Sequence, residues 1–210
     1  MTMRLARTAV PGSSRGPRLI CALIALMLIG STETRVAWSE TSAMAEVKLA
    51  VDQALAIVSD PKYKSAHASE NEKLLALLDA YFDFRAMGRS SLGVNWNKLS
   101  PAQRERFEAA FQKYLERRYI NIMESYSGQK IAFVKEQSDG DHAEVYTNVT
   151  NPLLQSPIQF DYMMKREQGK WKVYDMVIAE ISEVGSYRDD FGKTLKSGGF
   201  DALMTKLATG

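Results

Sequence analysis

A run of residues near the end of the chain changes its periodicity once, from that of a strand to that of a helix. Residues 171–181 are rich in β-branched and aromatic side chains, which are typical of strands. After this run the apolar residues Val184, Tyr187 and Phe191 recur at helical spacing, and Ser182 is a favourable N-cap. The sequence therefore predicts a strand that leads directly into a helix.

The predicted strand is apolar on both of its faces. Strict alternation would place Trp171, Val173, Asp175 and Val177 on one face, and Tyr174, Met176 and Ile178 on the other. Each face is therefore expected to be covered, either by the protein itself or by a ligand. Which of the two covers it is the functional question that this stretch raises.

The preceding residues predict helices first and strands second. A capping box, Ser100 to Gln103 with Pro101 at the first helical position, begins the longest helix, which is expected to reach about Tyr126. Further helices are predicted over 45–58, from a cap at Ser69, over 83–92, and over 183–196 and 200–208. Strands are predicted over 131–135, 143–149, 158–164 and 171–181. The fold class is α+β: a helical N-terminal half, a four-stranded antiparallel meander, and C-terminal helices enclosing an apolar pocket.

The first 39 residues are predicted to be a secretory signal peptide. Four arginines precede an apolar run of about eleven residues, and small residues end at Ser39, where cleavage is expected. An uncleaved anchor is the alternative, but the run is shorter than the roughly 20 residues a membrane-spanning helix needs. Residues 40–210 then form a single domain, and the periplasm is the expected location.

Composition argues against several classes of function. The one cysteine, Cys21, lies in the predicted signal peptide, so the mature chain has no thiol chemistry. Cleavage leaves 22 basic and 24 acidic residues, a net charge of −2, which does not favour nucleic acid as a partner. His67 and His142 have no partners at metal-ligand spacing, and neither a metal nor a cofactor is expected.

Asp175 is a carboxylate on an otherwise apolar strand face. It is predicted to pair with Arg85 or Arg188 and so to hold the sheet to a helix. The alternative is an acid with a raised pKa in a cleft, which would make the chain a small exported enzyme of a cone-shaped α+β fold.

Methionine and aromatic residues concentrate on the long helix and on the last two long strands. Such residues form adaptable linings for apolar ligands, because Met is unbranched and Tyr keeps a polar tip. The same stripe can instead be ordinary core, in which case the protein is an interaction module with a filled interior. The residues predicted to line a pocket are Tyr119, Met123, Tyr126, Val149, Phe160, Tyr162, Met164, Tyr174, Met176, Ile178 and Tyr187.

Several blocks of the sequence resemble the MlaC/toluene-tolerance family of periplasmic phospholipid-binding proteins. The blocks are Tyr81-Phe82-Asp83-Phe84-Arg85-Ala86-Met87, then Leu92-Gly93 and Trp96, then Ser100-Pro101-Ala102-Gln103-Arg104, Trp171-Lys172-Val173-Tyr174-Asp175, and Tyr187-Arg188 before Phe191. Their order spans about residues 45–208. The chain departs from the family pattern at Glu180-Ile181-Ser182, where Gly-Val-Ser is frequent, and in the loop from Pro152 to Pro157, which lacks the Asn-Gly of the family.

This resemblance implies a soluble lipid carrier without catalytic residues. The family is associated with transfer of phospholipid between an outer-membrane lipoprotein complex and an inner-membrane ABC transporter, and these complexes are the implied partners. The lipid is expected to be a phospholipid or a related apolar lipid such as a hopanoid. Its tails would lie in the predicted pocket.

Overall fold

The computed structural model describes residues 41–63, 67–151 and 156–210, in which helices precede and follow one antiparallel sheet. The helices are α1 (Ala43–Ser59), α2 (His67–Tyr81), α3 (Phe84–Leu92), a 3₁₀ helix (Gly93–Lys98), α4 (Pro101–Glu124) and α5 (Glu183–Thr209). The strands are β1 (Lys130–Asp139), β2 (His142–Thr150), β3 (Ile158–Glu167), β4 (Lys170–Ile178) and β5 (Ile181–Ser182), in spatial order β1-β2-β3-β4-β5. The predicted α+β class is confirmed, with one short strand, β5, more than the four expected.

Some predictions fall outside the described residues. These are the signal peptide at 1–39, most of the loop from Pro152 to Pro157, and the side chains of His67 and Ser69. Among the residues that the structure describes, no helix is long and apolar enough to cross a membrane.

Local capping signals placed most helix ends correctly. The Gln103 amide donates to Ser100 Oγ at 3.2 Å and the Ser100 amide donates to Gln103 Oε1 at 2.9 Å, which completes the predicted capping box. The predicted start of α2 at Ser69 is wrong, because the helix already begins at His67. α5 is continuous by hydrogen bonding but kinks at Gly199, whose φ of 71° is not helical, so the predicted break is confirmed.

An aromatic cluster joins α4 to α5. Phe111 meets Tyr187 and Phe191 edge to face, with ring centroids 5.4 Å and 5.6 Å apart. α3 approaches the same cluster at Gly88, where a Cβ would lie only 3.2 Å from the Phe111 ring. This cluster fixes α3, α4 and α5 as one block behind the sheet.

β4 contains one residue more than its partner strand. Met163 pairs with Asp175, but the next residue, Met164, pairs with Val173, so Tyr174 is the extra residue of a β-bulge. The bulge shifts the side-chain alternation by one position. The face that packs on the helices, here called the inner face, carries Trp171, Val173, Met176 and Ile178. The strict alternation predicted for this strand is therefore wrong from Asp175 onward.

The outer face of the sheet carries Tyr174 and Asp175. The Tyr174 ring lies 6.3 Å from that of His142, which precedes the inward-facing Ala143 in β2. Burial and the carboxylates of Asp175 and Glu144 raise the pKa of the Tyr174 phenol. Tyr174 is thus on the opposite face from Met176 and Ile178, with which it had been grouped.

Asp175 holds the junction between β4 and α5. Its Oδ1 accepts from the Val184 amide at 3.0 Å and from the Met176 amide at 2.8 Å, and its Oδ2 accepts from Ser182 Oγ. Ser182 Oγ in turn accepts from the Gly185 amide at 2.8 Å, as an N-cap does. The predicted arginine partners are wrong, because Arg85 pairs with Glu108 and Arg188 donates to the Ser90 carbonyl.

The two residues between β4 and β5 have left-handed backbone conformations. Ala179 has φ 49° and Glu180 has φ 67°, as the tight turn between two antiparallel strands requires. The position of Glu180 is the one at which glycine is frequent in the family that the sequence resembles. The left-handed backbone explains that preference, since a Cβ is disfavoured there.

Asp175→Ala should lower the free energy of unfolding by about 2 kcal/mol, because it leaves two backbone amides and the Ser182 hydroxyl without their acceptor. Chemical denaturation followed by circular dichroism measures the change. Asp189→Ala, which removes an exposed carboxylate of α5, is the control and should change stability little. Equal stability of the Asp175→Ala variant and the wild type would contradict the structural role.

Glu180→Gly should raise the free energy of unfolding by about 1 kcal/mol, because glycine adopts the left-handed backbone without steric cost. The same substitution at Glu105, an exposed interior position of α4, should lower it by about 1 kcal/mol. Thermal unfolding of both variants tests the pair. A destabilised Glu180→Gly variant would show that the Glu180 side chain matters more than the backbone strain.

Candidate functional site

The inner face of the sheet differs in burial between its two ends. The end that we call the closed end is fully covered and consists of Ala143, Val145, Met164, Trp171 and Val173. At the other, which we call the open end, the apolar side chains are only half-buried, although the polar Thr147 among them is covered: Ile131, Val149, Ile158, Phe160 and Ile178. The helices therefore cover the sheet completely at one end only.

The start of α1 seals the closed end. Trp171 Nε1 donates to the Thr41 carbonyl at 3.0 Å, and the Met44 amide donates to Glu136 Oε2 at 2.8 Å. Ala43 and Val47 are buried in the same core. These contacts hold the first turns of α1 against the sheet.

Burial falls along α1 and α4 towards the open end. On the helical face of α1 that begins with buried Val47, the later residues Val51, Leu55 and Val58 are only half-buried. On α4, Tyr119 is buried, whereas Met123 on the same face is half-buried, as is Tyr126, two residues after the helix ends. α4 leads into β1 at Lys130, which pairs with Thr150 at the open end.

The ends of the two helices meet through one tyrosine. Tyr63, just after α1, donates to Glu124 Oε1 at 3.0 Å and lies 2.8 Å from Asn71 Oδ1 on α2. Burial and the Glu124 carboxylate raise the pKa of Tyr63 to about 12. The ends of α1 and α4 are thus joined, and the half-buried apolar side chains of α1, of α4 and of the open end of the sheet are here together called the apolar recess.

The eleven residues predicted to line a pocket fall into three groups. Six are half-buried and belong to the inner face, to the last turn of α4 or to the segment just after it: Met123, Tyr126, Val149, Phe160, Tyr162 and Ile178. Four are buried and pack among protein side chains: Tyr119, Met164, Met176 and Tyr187. The eleventh, Tyr174, lies on the outer face.

The contact between α4 and the first turn of α5 is partly polar. Tyr119 donates to Glu183 Oε2 at 2.8 Å, and Arg118 lies 3.5 Å from the other oxygen of that carboxylate. Burial, with the Glu183 carboxylate beside it, raises the pKa of Tyr119 well above its ordinary value. Tyr119 and Glu183 thus satisfy each other where α4 meets the start of α5.

Sequence reasoning missed several residues of the recess. Val51, Leu55 and Val58 lie within the helix predicted over 45–58, but helical periodicity does not reveal whether apolar side chains are fully covered. Ile131 and Phe133 lie on the inner face of β1 and alternate with Lys130 and Ala132. A second bulge follows at the exposed Val134. The spacing of Ile131 and Phe133 at alternate positions of a strand was the one signal in the sequence that could have identified them as inner residues.

Two surface cavities are bordered by residues other than those predicted to line a pocket. One, of about 670 Å³, runs between α1 and α2 and is bordered by apolar residues such as Ile57, Leu77 and Trp171 and by the charged Glu46 and Lys73. The other, of about 500 Å³, lies between the 3₁₀ helix and the second half of α5. None of the eleven predicted lining residues borders either cavity.

In the part of the chain that the structure describes, little supports a metal site or a catalytic site. No group of three His, Cys, Asp or Glu side chains there could hold a metal ion. The carboxylate of Asp175, the residue considered as a catalytic acid, is engaged by Ser182 and by two backbone amides.

Comparison with known proteins gives consistent relatives. The family model described as MlaC protein matches residues 48–209. The intermembrane phospholipid transport system binding protein MlaC of Haemophilus influenzae is 27% identical over 194 residues, covering 88% of this chain and 89% of that protein. The toluene tolerance protein ttg2D of Pseudomonas putida is 28% identical over 147 residues, covering 69% of this chain and 67% of that protein.

A solved structure shares the architecture. The phospholipid-binding protein of Ralstonia solanacearum, determined in complex with a phospholipid, superposes with a TM-score of 0.69 at 26% identity. The match covers 80% of this chain and 96% of that one. Since the family model spans most of the chain and the fold agrees, this protein belongs to the MlaC family.

Proposed function

We propose that the protein is a periplasmic phospholipid carrier and that the acyl tails lie in the apolar recess. The observation that carries the proposal is the set of half-buried apolar side chains on α1, on α4 and at the open end of the sheet. The relatives support it, because one is named for intermembrane phospholipid transport and another was solved with a phospholipid bound. The predicted signal peptide supports the periplasmic location.

The energetic need for such a recess is large. Each methylene transferred from hydrocarbon to water costs about 0.8 kcal/mol, so a diacyl lipid with about 30 methylenes faces more than 20 kcal/mol in water. A carrier must cover the tails, whereas the headgroup can remain hydrated. An open end of apolar side chains meets this requirement without a dedicated headgroup site.

Release of the lipid requires a partner. A protein without an energy source can change its affinity only if something binds one of its conformations better than the other. We infer that docking to an inner-membrane ABC transport complex and to an outer-membrane lipoprotein complex supplies this difference. The contacts of Tyr63 with Glu124 and Asn71 join α1, α2 and α4 beside the recess, so they are the contacts that an opening movement would break.

A hopanoid remains the second candidate ligand. A rigid polycyclic lipid also needs apolar cover, but the names of the relatives favour phospholipid. An enzymatic role for Asp175 is less well supported, because its oxygens serve the helix cap.

Ile178→Trp should reduce lipid uptake at least tenfold, because an indole at the open end would occupy space that the tails need. Val177→Trp is the matched control, since Val177 is the neighbouring residue on the outer face of the same strand. Delipidated protein is incubated with phosphatidylethanolamine–phosphatidylglycerol vesicles that contain a radiolabelled phospholipid, and protein-bound label is counted after separation. Thermal unfolding confirms that both variants are folded.

Two outcomes would contradict the proposal in different ways. Equal uptake by the wild type and both variants would place the lipid elsewhere, with the cavity between α1 and α2 as the next region to test. No uptake by the wild type would contradict the carrier function itself.

A further inference from the structure

The larger surface cavity, between α1 and α2, has the size of a small-molecule site. Its volume of about 670 Å³ lies within the range of about 300–1,000 Å³ that is typical of such sites. Its wall consists mainly of small and apolar side chains of the two helices: Ala56, Ile57, Ala76, Leu77, Ala80 and Tyr81. No side chain assigned to the apolar recess borders it, so the cavity is a separate candidate site.

The two helices run in opposite directions along the cavity. Tyr63, just after α1, contacts Asn71 near the start of α2. Burial and the Glu46 carboxylate raise the pKa of Tyr81, which places the start of α1 beside the end of α2. The eleven-residue separation of Glu46 and Ile57 on α1 corresponds to about 16 Å of helix. The cavity therefore has two distinct ends and is long enough for an extended hydrocarbon chain.

The end of the cavity at the start of α1 carries both signs of charge. Trp171 donates to the Thr41 carbonyl just before α1, so Trp171 and its neighbour Lys170 lie at the same end as Glu46. Glu46 is half-buried and Lys170 is exposed. Within the described ranges, neither of these two side chains forms an ion pair.

The charge at the opposite end of the cavity is already compensated. Lys73 borders the cavity there and is paired with Glu70 at 2.7 Å. A partly desolvated carboxylate such as that of Glu46 is stabilised when a cation donates hydrogen bonds to it. The groups left for a ligand are therefore one carboxylate and one ammonium at one end, followed by an apolar groove.

We propose that this cavity binds a phospholipid with a single acyl chain and a zwitterionic head, as in a lysophosphatidylethanolamine. The ammonium group of the ligand donates to the Glu46 carboxylate, and the Lys170 ammonium donates to the phosphate. The acyl chain lies along the groove, in contact with Leu77 and Ile57. A single groove between two helices suits one chain rather than the two of a diacyl lipid. This site is distinct from the apolar recess and does not depend on the proposed carrier function.

Calorimetric titration with a soluble lysophospholipid tests the site. Lauroyl-lysophosphatidylethanolamine, below its micelle concentration, is titrated into delipidated protein that carries Ile178→Trp, which removes competition from the apolar recess. Ala76→Trp in this background fills the cavity from an exposed position of α2 and should abolish binding. Ala109→Trp, at an exposed position of α4 that does not border the cavity, should leave binding unchanged. Thermal unfolding confirms that the variants are folded.

Two charge variants assign the two halves of the head. Glu46→Gln should weaken binding of the ethanolamine ligand about tenfold, the loss expected for one charge-assisted hydrogen bond. It should leave binding of lauroyl-lysophosphatidylglycerol, which has no ammonium group, unchanged. Lys170→Gln should weaken binding of both ligands, because both carry the phosphate.

The possible outcomes separate this site from the carrier function. No binding of the ethanolamine ligand, binding that survives Ala76→Trp, or equal affinity in Glu46→Gln would overturn the inference. Uptake of labelled diacyl phospholipid from vesicles should be the same for Ala76→Trp and the wild type, because the two sites are distinct. A wild type that binds the lysophospholipid but takes up no diacyl lipid would support this site and contradict the carrier function alone.

Discussion

The single extra residue of β4 determines what the inner face of the sheet is made of. Because Tyr174 bulges outward, Met176 and Ile178 continue the inward row begun by Trp171 and Val173. Without the bulge, Asp175 would turn towards the helices and Met176 towards the outer face. The same shift places Asp175 on the outer face, where its carboxylate reaches the first turn of α5. One local irregularity thus sets both the composition of the recess and the attachment of the closing helix.

The two ends of the inner face differ in how completely the helices cover them. At the closed end, α1 is tied to the sheet by Thr41 and Met44, and the aromatic cluster of α4 and α5 provides a rigid block. At the open end, apolar side chains of α1, α4 and the sheet are only partly covered. A carrier of apolar ligands needs both ends. The closed end keeps the molecule folded while the apolar side chains of the open end gain or lose contact with a lipid.

Local signals in the sequence predicted the features that depend on neighbouring residues. The capping box at Ser100, the N-cap at Ser182 and the kink at Gly199 follow from the chemistry of a few adjacent positions, and all three were predicted. The bulge at Tyr174 and the strand β5 were not predicted, because both depend on pairing with residues elsewhere in the chain. Asp175 illustrates the difference. The hydrogen-bond donors to its carboxylate are brought together by the fold, and none of them is an arginine that its spacing in the sequence could have indicated.

The predicted lining residues show the same limit. Periodicity indicated that Tyr119, Met123 and Tyr126 share a helix face, but it could not indicate that burial falls from the first to the last of them. On the sheet, alternation grouped Phe160, Tyr162 and Met164 correctly on one face, and only Met164 is fully enclosed by protein. The difference between core and recess depends on where α1 and α4 end, which is a property of the whole fold.

The most direct test of a phospholipid carrier is to identify what the protein holds when it leaves the cell. Native mass spectrometry of the mature protein, purified from periplasmic extract without detergent, should give a complex heavier by the mass of one phospholipid, and fragmentation should release that lipid. A protein that carries only its own mass, and that takes up no phospholipid from vesicles afterwards, would contradict the function inferred from the apolar recess.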